Sequence, residues 1–335
     1  MIAEMWDEGG HTSGLSGGPL RSVITLVLAI LAAPVYSASA LDWPARPVRI
    51  VAPFAPGGSA DTLGRIVAEK LSVKFKQNFV VDNRAGAGGV VGSDLVANSA
   101  PDGYTLVVSG IASHAIAPAM SRVPFDPVKS FTHIALFGGP PIIAVVHPGV
   151  EAKTLAQFVA LSKSTPQGIS YGSPGLGTNG HLVAELFRMR SGANLVHVPY
   201  KGAALAMVDL AGAHIPSSFN TLSTAAVHVK SGRARALAHS AARRVSAFPD
   251  VPTFFESGYK DLIATTWFSL SGPAGVPQSI VKQLNAAVRE ALAAPELRER
   301  LAAEGIEPND LDASGFTRFV GAEVARWAPI AKATR

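Results

Sequence analysis

What most constrains the fold of this chain is a repeated alternation of short apolar runs, rich in valine and isoleucine, with longer amphipathic segments. The pattern predicts strands at 48–54, 79–82 and 104–109, and helices at 61–76 and 88–98. Short apolar runs bounded by turn residues are typical of buried strands, whereas apolar residues at three- and four-residue spacing are typical of helices. Strands that alternate with helices imply right-handed crossovers, so we expect an α/β fold with parallel sheets.

The alternation begins again at residue 142, which indicates a second unit. The predicted strands are at 142–146, 169–171, 195–198, 217–220, 234–238 and 267–270. The predicted helices are at 155–162, 178–189, 203–210, 225–230, 279–293, 295–303 and 316–331. The length of 335 residues also suggests two domains, because a domain usually has about 100–200 residues. We therefore predict one lobe from 41–140 plus 265–335, a second lobe from 141–264, and a ligand cleft between them.

The amino-terminal forty residues carry the pattern of a secretory leader. An apolar run at 23–35 follows Arg21 and ends before the small residues Ala38 and Ala40. A membrane-spanning helix needs about 20 apolar residues, and this run is shorter. We predict that residues 1–40 are a leader and signal peptide cleaved after Ala40, with a buried or membrane-anchoring helix as the alternative. Export would place the mature chain outside the cytoplasm.

Composition excludes several classes of protein and site. The chain has no Cys, which excludes disulfides, thiolate metal sites and a lipid anchor on cysteine. The net charge of +5 comes from scattered Lys and Arg, which is atypical of a nucleic-acid-binding surface. The chain lacks a G-x-S-x-G elbow, an H-E-x-x-H pair and a P-loop, and its nine His are widely spaced. We expect no enzyme activity, no cofactor and no metal site.

The first glycine-rich loop follows the first predicted strand and reads APGGSAD. Gly57 and Gly58 permit a tight turn with close backbone approach, and Ser59 is a candidate helix N-cap. Free N–H groups and the helix dipole at such a position attract an anion. The sequence of this loop is equally compatible with a plain strand–helix turn.

The second glycine-rich loop lies at the corresponding place in the second unit, at 172–180. Gly175, Gly177 and Gly180 match the G-x-G-x-x-G fingerprint of dinucleotide sites. That fingerprint requires an acidic residue at the end of the next strand, where this chain has none, although Lys201 offers a charge for a 2′-phosphate. Two such loops facing each other would present two helix N-termini to one anion. Ser109, Ser113 and His114, in or beside a long loop predicted after the third strand, are further candidates for the cleft.

These motifs, taken together, resemble a known family. The segments RPVRIVAPFAPGGSAD, YGSPGLGTNGHLVAELF and VHVPYKGAALAMVDLAG are similar to the periplasmic solute-binding receptors of tripartite tricarboxylate transporters, the Bug-type receptors. The resemblance extends from about Trp43 to the carboxyl terminus. It implies a type II, two-lobed Venus-flytrap fold, capture of a small carboxylate, delivery to the membrane subunits of a transporter, and a monomer.

The resemblance also implies which residues hold the ligand. In the family, the loop after the first strand and the loop matching 173–179 grip a carboxylate, largely through backbone amides and ordered water. The matching positions are Ala55, Gly57, Gly58, Ser59, Asp61, Ser173, Gly177, Thr178 and Asn179. Asn220 stands where relatives often carry an acid, which favours plain carboxylates over amino acids. The open alternatives are a ligand-binding co-receptor for a signalling system, and a nucleotide-dependent enzyme or a hydrolase using Ser173 and a cleft His.

Overall fold

The computed structural model describes residues 43–334, which form two five-stranded sheets flanked by helices. The predicted signal peptide lies outside the described residues. Within 43–334, no helix is both long enough and apolar enough to cross a membrane.

The strands and helices agree with the predicted alternation, and every predicted element is present with ends that differ by three residues or fewer. The strands are β1 (Val48–Ala52), β2 (Phe79–Asn83), β3 (Thr105–Gly110), β4 (Phe131–Gly138), β5 (Ile142–Val146), β6 (Ile169–Ser173), β7 (Leu195–Pro199), β8 (Ser217–Thr221), β9 (Arg235–His239) and β10 (Phe268–Pro273). The α-helices are α1 (Ser59–Phe75), α2 (Val90–Ala97), α3 (Ala117–Met120), α4 (Leu155–Ser164), α5 (Asn179–Ser191), α6 (Ala203–Ala211), α7 (Leu222–Lys230), α8 (Gln278–Ala293), α9 (Pro295–Ala303) and α10 (Ala313–Ala333). A 3₁₀ turn, Ala87–Gly89, precedes α2, and a π-helical segment, Ala112–Ile116, precedes α3.

The two sheets share one topology, which defines the two lobes. The first has strand order β2-β1-β3-β10-β4, and the second has order β7-β6-β8-β5-β9. In each sheet one strand runs opposite to its neighbours: β10 is antiparallel to β3 and β4, and β5 is antiparallel to β8 and β9. The expectation of parallel sheets was therefore wrong for β5 and β10. The chain enters each of these strands from the other sheet, whereas a parallel strand is entered through a helix that follows a strand of the same sheet.

The chain passes between the sheets twice, at 139–141 and at 240–267. The two crossings lie side by side: the Thr266 amide donates to the Pro140 carbonyl at 3.0 Å, and Pro141 pairs with Thr265. Glu323 of α10 accepts hydrogen bonds from the buried indole nitrogens of Trp267 and Trp327, each at 3.0 Å. The carboxyl-terminal helix is thereby fastened to the second crossing.

Residues 110–141 differ most from the prediction. They were expected to form a long loop, but they contain the π-helical segment, α3 and the strand β4. His114, expected in that loop, lies in the π-helical segment and is fully buried against Phe125 and Phe131. Burial lowers the pKa of His114 well below its ordinary value, so the ring is neutral.

Helix α1 shows how the core places the first glycine-rich loop. Leu63, Val67 and Leu71 recur at four-residue spacing, each 2% exposed or less, and they pack in one core with Val48 and Leu106 of the sheet. This amphipathic face holds α1 against β1 and β3. As a result, the amino terminus of α1 lies at the carboxyl end of β1, where ligands commonly bind in α/β folds.

Candidate functional site

A cavity of about 40 Å³ lies between the lobes, at the carboxyl ends of β1, β3 and β6. Both lobes contribute to its wall, as does Thr266 of the second crossing. The lining consists of Phe54, Gly58, Ser59, Ala60, Val108, Gly110, Ile111, Ala112, Ile142, Pro174, Thr178, Asn179, Gly180, Ala203, Thr221, Thr266 and Phe268. The cavity is large enough for about three water molecules, and therefore for a carboxylate group.

Three α-helices begin at this cavity. Ser59 opens α1, Asn179 opens α5 and Ala203 opens α6, and each of these residues lines the cavity. The N–H groups of a first helical turn have no partner within the helix, and each amino terminus carries about half a positive charge. The convergence of three such termini from two lobes gives the cavity a positive potential, which favours an anion.

The first loop is closed by a carboxylate that lies outside the cavity. Asp61 accepts a hydrogen bond from the Gly57 amide at 3.0 Å and from the Asn83 side chain at 2.9 Å, and it pairs with Arg65. Burial raises the pKa of Asp61, but the hydrogen bonds from Arg65, Gly57 and Asn83 outweigh it and hold this pKa below the ordinary value. Asp61 therefore holds the loop in its conformation, and the charge of Arg65 compensates the negative charge of Asp61 outside the cavity.

Ser59 joins the two lobes through hydroxyl groups. The structure places Gly58, without a side-chain cap, at the N-cap of α1, so the expectation that Ser59 caps this helix was wrong by one residue. The Ser59 hydroxyl instead contacts those of Thr221, Ser223 and Thr224 at 2.8, 2.6 and 3.1 Å. We call these four residues the hydroxyl cluster. Near it, the Ala55 amide donates to the Lys201 carbonyl at 3.0 Å, a second contact between the lobes.

The second loop turns at glycines and ends in a true cap. Gly177 has φ +73°, and Thr178 is the N-cap of α5, its hydroxyl accepting from the His181 amide at 3.4 Å. Gly177 itself packs against Ala117 of the first lobe. Thr178 lines the cavity, whereas Gly177 lies beside it.

Among the described residues that line the cavity, Asn179 alone has a side chain whose polar atoms are all buried and all lack a hydrogen-bond partner. It is 3% exposed, and neither its amide nitrogen nor its amide oxygen has a hydrogen-bond partner among the residues described. Buried polar groups in proteins are almost always paired, so an unpaired amide on a cavity wall indicates a polar ligand. Its NH₂ group can donate directly to a carboxylate oxygen.

Eight of the twelve predicted ligand contacts do not line the cavity: Ala55, Gly57, Asp61, Ser109, Ser113, Ser173, Gly177 and Asn220. Ser109 pairs with Ser269 and Ser271 at 2.7 Å each, inside the first sheet. Ser113 pairs with the ring of His114 at 2.9 Å. Asn220 donates to the Ala203 carbonyl at 2.9 Å and accepts from the Thr221 amide, so it fixes the start of α6.

Ser173 is paired with a histidine but does not face the cavity. Its hydroxyl lies 2.7 Å from His197 Nε2 and also bonds the backbone of Gly175. The burial of His197 lowers its pKa to about 4, so the ring is neutral. Ser173 is fully buried and absent from the lining, so this pair presents no nucleophile to a ligand. Within 43–334, no group of three His, Asp or Glu is placed to hold a metal ion.

The sequence analysis missed the apolar part of the lining. Phe54, Val108, Ile111, Ile142 and Phe268 lie on strand ends or next to a crossing, where no local pattern distinguishes them from core residues. Ala203 carried a usable signal, because it follows a strand and Gly202 as Ser59 follows a strand and Gly58.

A second recess lies beside the cavity. It is lined by Phe54, the glycine-rich 86–89 segment, 174–176 and 199–201. Phe54 and Pro174 line both the recess and the cavity, so they separate one from the other. Lys201 lines the recess but not the cavity.

Comparison with known proteins identifies the family. Residues 63–335 match the model of the tripartite tricarboxylate transporter family receptor, TctC. Protein BugT of Bordetella pertussis is 37% identical over 320 residues, which cover 94% of this chain and 97% of BugT. The solved structure of Rhodopseudomonas palustris MatC with bound malate is 29% identical with a TM-score of 0.82, over 86% of this chain and 100% of MatC.

Two further solved structures agree. R. palustris Rpa4515 with adipate is 33% identical with a TM-score of 0.84, over 88% of this chain and 98% of that one. The periplasmic binding protein BugD is 31% identical with a TM-score of 0.83, over 87% of this chain and 98% of BugD. The two-lobed fold and the family resemblance are thereby confirmed, and the chain belongs to the TctC family of tripartite tricarboxylate transporter receptors.

Proposed function

We propose that this chain is a periplasmic solute-binding protein that captures a small carboxylate between its lobes and delivers it to the membrane subunits of a tripartite tricarboxylate-type transporter. The observation that carries the proposal is the convergence of three helix N-termini and the unpaired Asn179 on one cavity. A carboxylate can accept several hydrogen bonds at once, and its bonds to N–H donors are strengthened by its charge.

Capture would work by closure of the two lobes, with the first comprising 41–140 plus 265–335 and the second 141–264. Ser59 belongs to one lobe, whereas Asn179 and Ala203 belong to the other, so an anion held by all three bridges them. A ligand that contacts both lobes stabilises the arrangement in which they are together. The crossings at 139–141 and 240–267 are the places where the chain would bend.

The remaining parts of the proposal concern location and partners. We propose export by a signal peptide cleaved after Ala40, no lipid anchor, and a monomer that presents its closed surface to the transporter. Two of the similar solved structures are described as a periplasmic transporter and a periplasmic binding protein, which supports this location. A co-receptor for a signalling system would use the same capture step and differ only in its partner.

Thermal unfolding with a panel of carboxylates tests the capture step. A ligand at 100 times its Kd adds about 2.7 kcal/mol to the free energy of unfolding. Each kcal/mol raises the unfolding midpoint by about 2–4 °C for a protein of this size, so we expect a rise of about 5–11 °C. Asn179→Ala should reduce this rise, whereas the exposed control Asn78→Ala should leave it unchanged. A panel in which no carboxylate shifts the midpoint would contradict the proposal.

A further inference from the structure

A series of hydrogen bonds leads from the edge of the second sheet to the cavity wall. It begins at His197 on the outer strand β7, whose Nε2 lies 2.7 Å from the Ser173 hydroxyl at the end of β6. The same hydroxyl accepts a hydrogen bond from the Gly175 amide at 3.1 Å. The Gly175 carbonyl in turn accepts from the hydroxyl and the amide of Thr178, at 2.7 and 3.3 Å. Thr178 lines the cavity and caps α5, so the series connects His197 with the wall.

The direction of the bond between Ser173 and His197 follows from the acceptors available to the Ser173 proton. The Gly175 carbonyl lies 3.2 Å from this hydroxyl, but it already accepts two hydrogen bonds from Thr178, which is the capacity of a carbonyl oxygen. The closer acceptor is His197 Nε2. Burial, and secondarily the neighbouring His181, lowers the pKa of His197 to about 4, so its ring is neutral. The Ser173 hydroxyl therefore donates to Nε2, which assigns the ring proton of His197 to Nδ1.

Aromatic contacts hold the ring of His197. It stacks on Tyr171, its partner in the strand register, with ring centroids 4.9 Å apart. It also packs on His181 of α5, with centroids 4.3 Å apart. Both of these rings are buried. A side chain held by packing keeps its rotamer, so His197 presents Nε2 to Ser173 at a fixed position.

The second glycine-rich loop depends on such outside support. It has no regular secondary structure between the end of β6 at Ser173 and the start of α5 at Asn179. Gly175 and Gly177 have φ of +141° and +73°, and glycine allows many backbone conformations. Hydrogen bonds to the loop are therefore needed to select one conformation against this entropy. A displaced loop would carry Thr178 and the start of α5 away from the cavity.

Building on the proposed function, we infer that His197 is a positioning residue for ligand binding: acting through Ser173, it holds Thr178 and the start of α5 against the cavity. Neither His197 nor Ser173 lines the cavity, so neither would contact the ligand. The pair has the residue types of a base and a nucleophile, but its hydrogen bonds are directed at the loop backbone.

Two substitutions of His197 separate its acceptor from its ring. His197→Gln keeps an atom that can accept from Ser173 but loses the ring, whereas His197→Phe keeps a ring but loses the acceptor. Ser173→Ala removes the next group in the series. Tyr171→Phe is the matched control, because it removes a buried hydroxyl bond of the same ring cluster, to Glu185 at 2.7 Å, and leaves the path to Thr178 intact.

Hydrogen–deuterium exchange of the ligand-free protein tests whether His197 holds the loop. Loss of a hydrogen bond worth about 0.5–1.5 kcal/mol should make the Gly175 and Thr178 amides exchange about two- to twelvefold faster in His197→Phe and in Ser173→Ala. Both amides should exchange at the wild-type rate in His197→Gln and in Tyr171→Phe. Wild-type exchange in a folded His197→Phe protein would overturn the inference. If His197→Phe does not unfold cooperatively, His197→Leu takes its place, because leucine likewise offers no acceptor.

Isothermal titration with malate and adipate, the acids found in two of the similar solved structures, measures the consequence for binding. We expect Kd to rise about two- to twelvefold in His197→Phe and to stay within about twofold of the wild-type value in His197→Gln. Adding Ser173→Ala to His197→Phe should cause little further loss, because the two residues act on one path.

Three outcomes of the titration would count against these expectations. Equal losses in the Gln and Phe variants would show that the ring matters instead of its acceptor, and would overturn the inference. Additive losses in the double variant would overturn it as well. No binding of malate, adipate or a wider carboxylate panel by the unmodified protein would overturn the proposed function and the link to ligand binding, whereas the exchange experiment would still decide whether His197 holds the loop.

Discussion

Removal of the Ser223 hydroxyl should weaken ligand binding, even though this hydroxyl would not contact the ligand. Ser223 lies 2.6 Å from the Ser59 hydroxyl, across the boundary between the lobes, and it does not line the cavity. Ser223→Ala therefore deletes one contact that exists only when the lobes are together. A ligand held by both lobes depends on that arrangement, so the lost contact should appear in the measured Kd.

The expected change in Kd follows from the kind of hydrogen bond that is lost. A hydrogen bond between two neutral groups contributes about 0.5–1.5 kcal/mol net. Because about 1.4 kcal/mol corresponds to a factor of ten in Kd, Ser223→Ala should raise Kd by about two- to twelvefold. Ser59 keeps its contacts to Thr221 and Thr224, so it is not left as an unpaired buried group, and the upper end of this range is not expected to be exceeded.

Isothermal titration with the best carboxylate of the thermal panel measures this change. Ser231→Ala is the matched control, because Ser231 is exposed at the other end of α7 and donates only within its own lobe, to the His228 carbonyl. In a double-mutant cycle, Ser223→Ala should have little further effect once Ser59 is replaced by Ala. Equal affinities in the Ser223→Ala and Ser231→Ala proteins, or additive losses in the cycle, would refute the reasoning.

Three further predictions concern stability. In Gly180→Ala the new Cβ would lie 2.5 Å from the Phe219 carbonyl oxygen, so chemical denaturation should show a loss of about 1–3 kcal/mol, and wild-type stability would contradict the tight packing of α5. Glu323→Ala leaves two buried indole N–H groups without their acceptor and should cost about 2–5 kcal/mol, lowering the thermal midpoint by several degrees; an unchanged midpoint would show that the carboxylate is dispensable. Burial lowers the pKa of His133 to about 4, whereas the pKa of the unfolded group is about 6.5. As the pH falls, the unfolded chain takes up this proton first, so the free energy of unfolding decreases by about 2 kcal/mol from pH 6.5 to 5. His133→Gln should remove that part of the pH dependence in urea unfolding curves, and a variant with the same slope would place the acid sensitivity elsewhere.

The sequence alone was sufficient to predict those elements whose pattern is local. Leu63, Val67 and Leu71 mark the buried face of α1, and the valine- and isoleucine-rich run at 142–146 coincides with β5. The two glycine-rich loops were also readable, because glycines between a strand and a helix have a conformational reason that needs no distant contact. These signals located Gly58, Ser59, Thr178 and Asn179, which the structure brings together at one cavity.

The direction of β5 and β10 and the presence of β4 depend on distant contacts instead. Strand β10 pairs with both β3 and β4, although more than a hundred residues separate it from either. The alternation of strands and helices along the sequence does not predict that β10 lies between β3 and β4. The segment around β4 begins with Phe, Thr and His, so its pattern is weaker than the runs that were recognised, and burial between β10 and the helices α8 and α10 accounts for its strand conformation.

The same dependence on distant contacts explains why the polar and apolar halves of the cavity differ in how readily they can be predicted. The polar half consists of helix N-termini, which any strand–glycine–helix unit provides, so it indicates an anion without naming it. The apolar half includes Ile142 and Phe268, which adjoin the two crossings between the lobes. In the proposed capture, residues at these positions pack against the ligand and also accommodate the bending of the chain. A substitution that changes the apolar wall there therefore changes lobe closure as well, so ligand selection and closure cannot be varied independently on this side of the cavity.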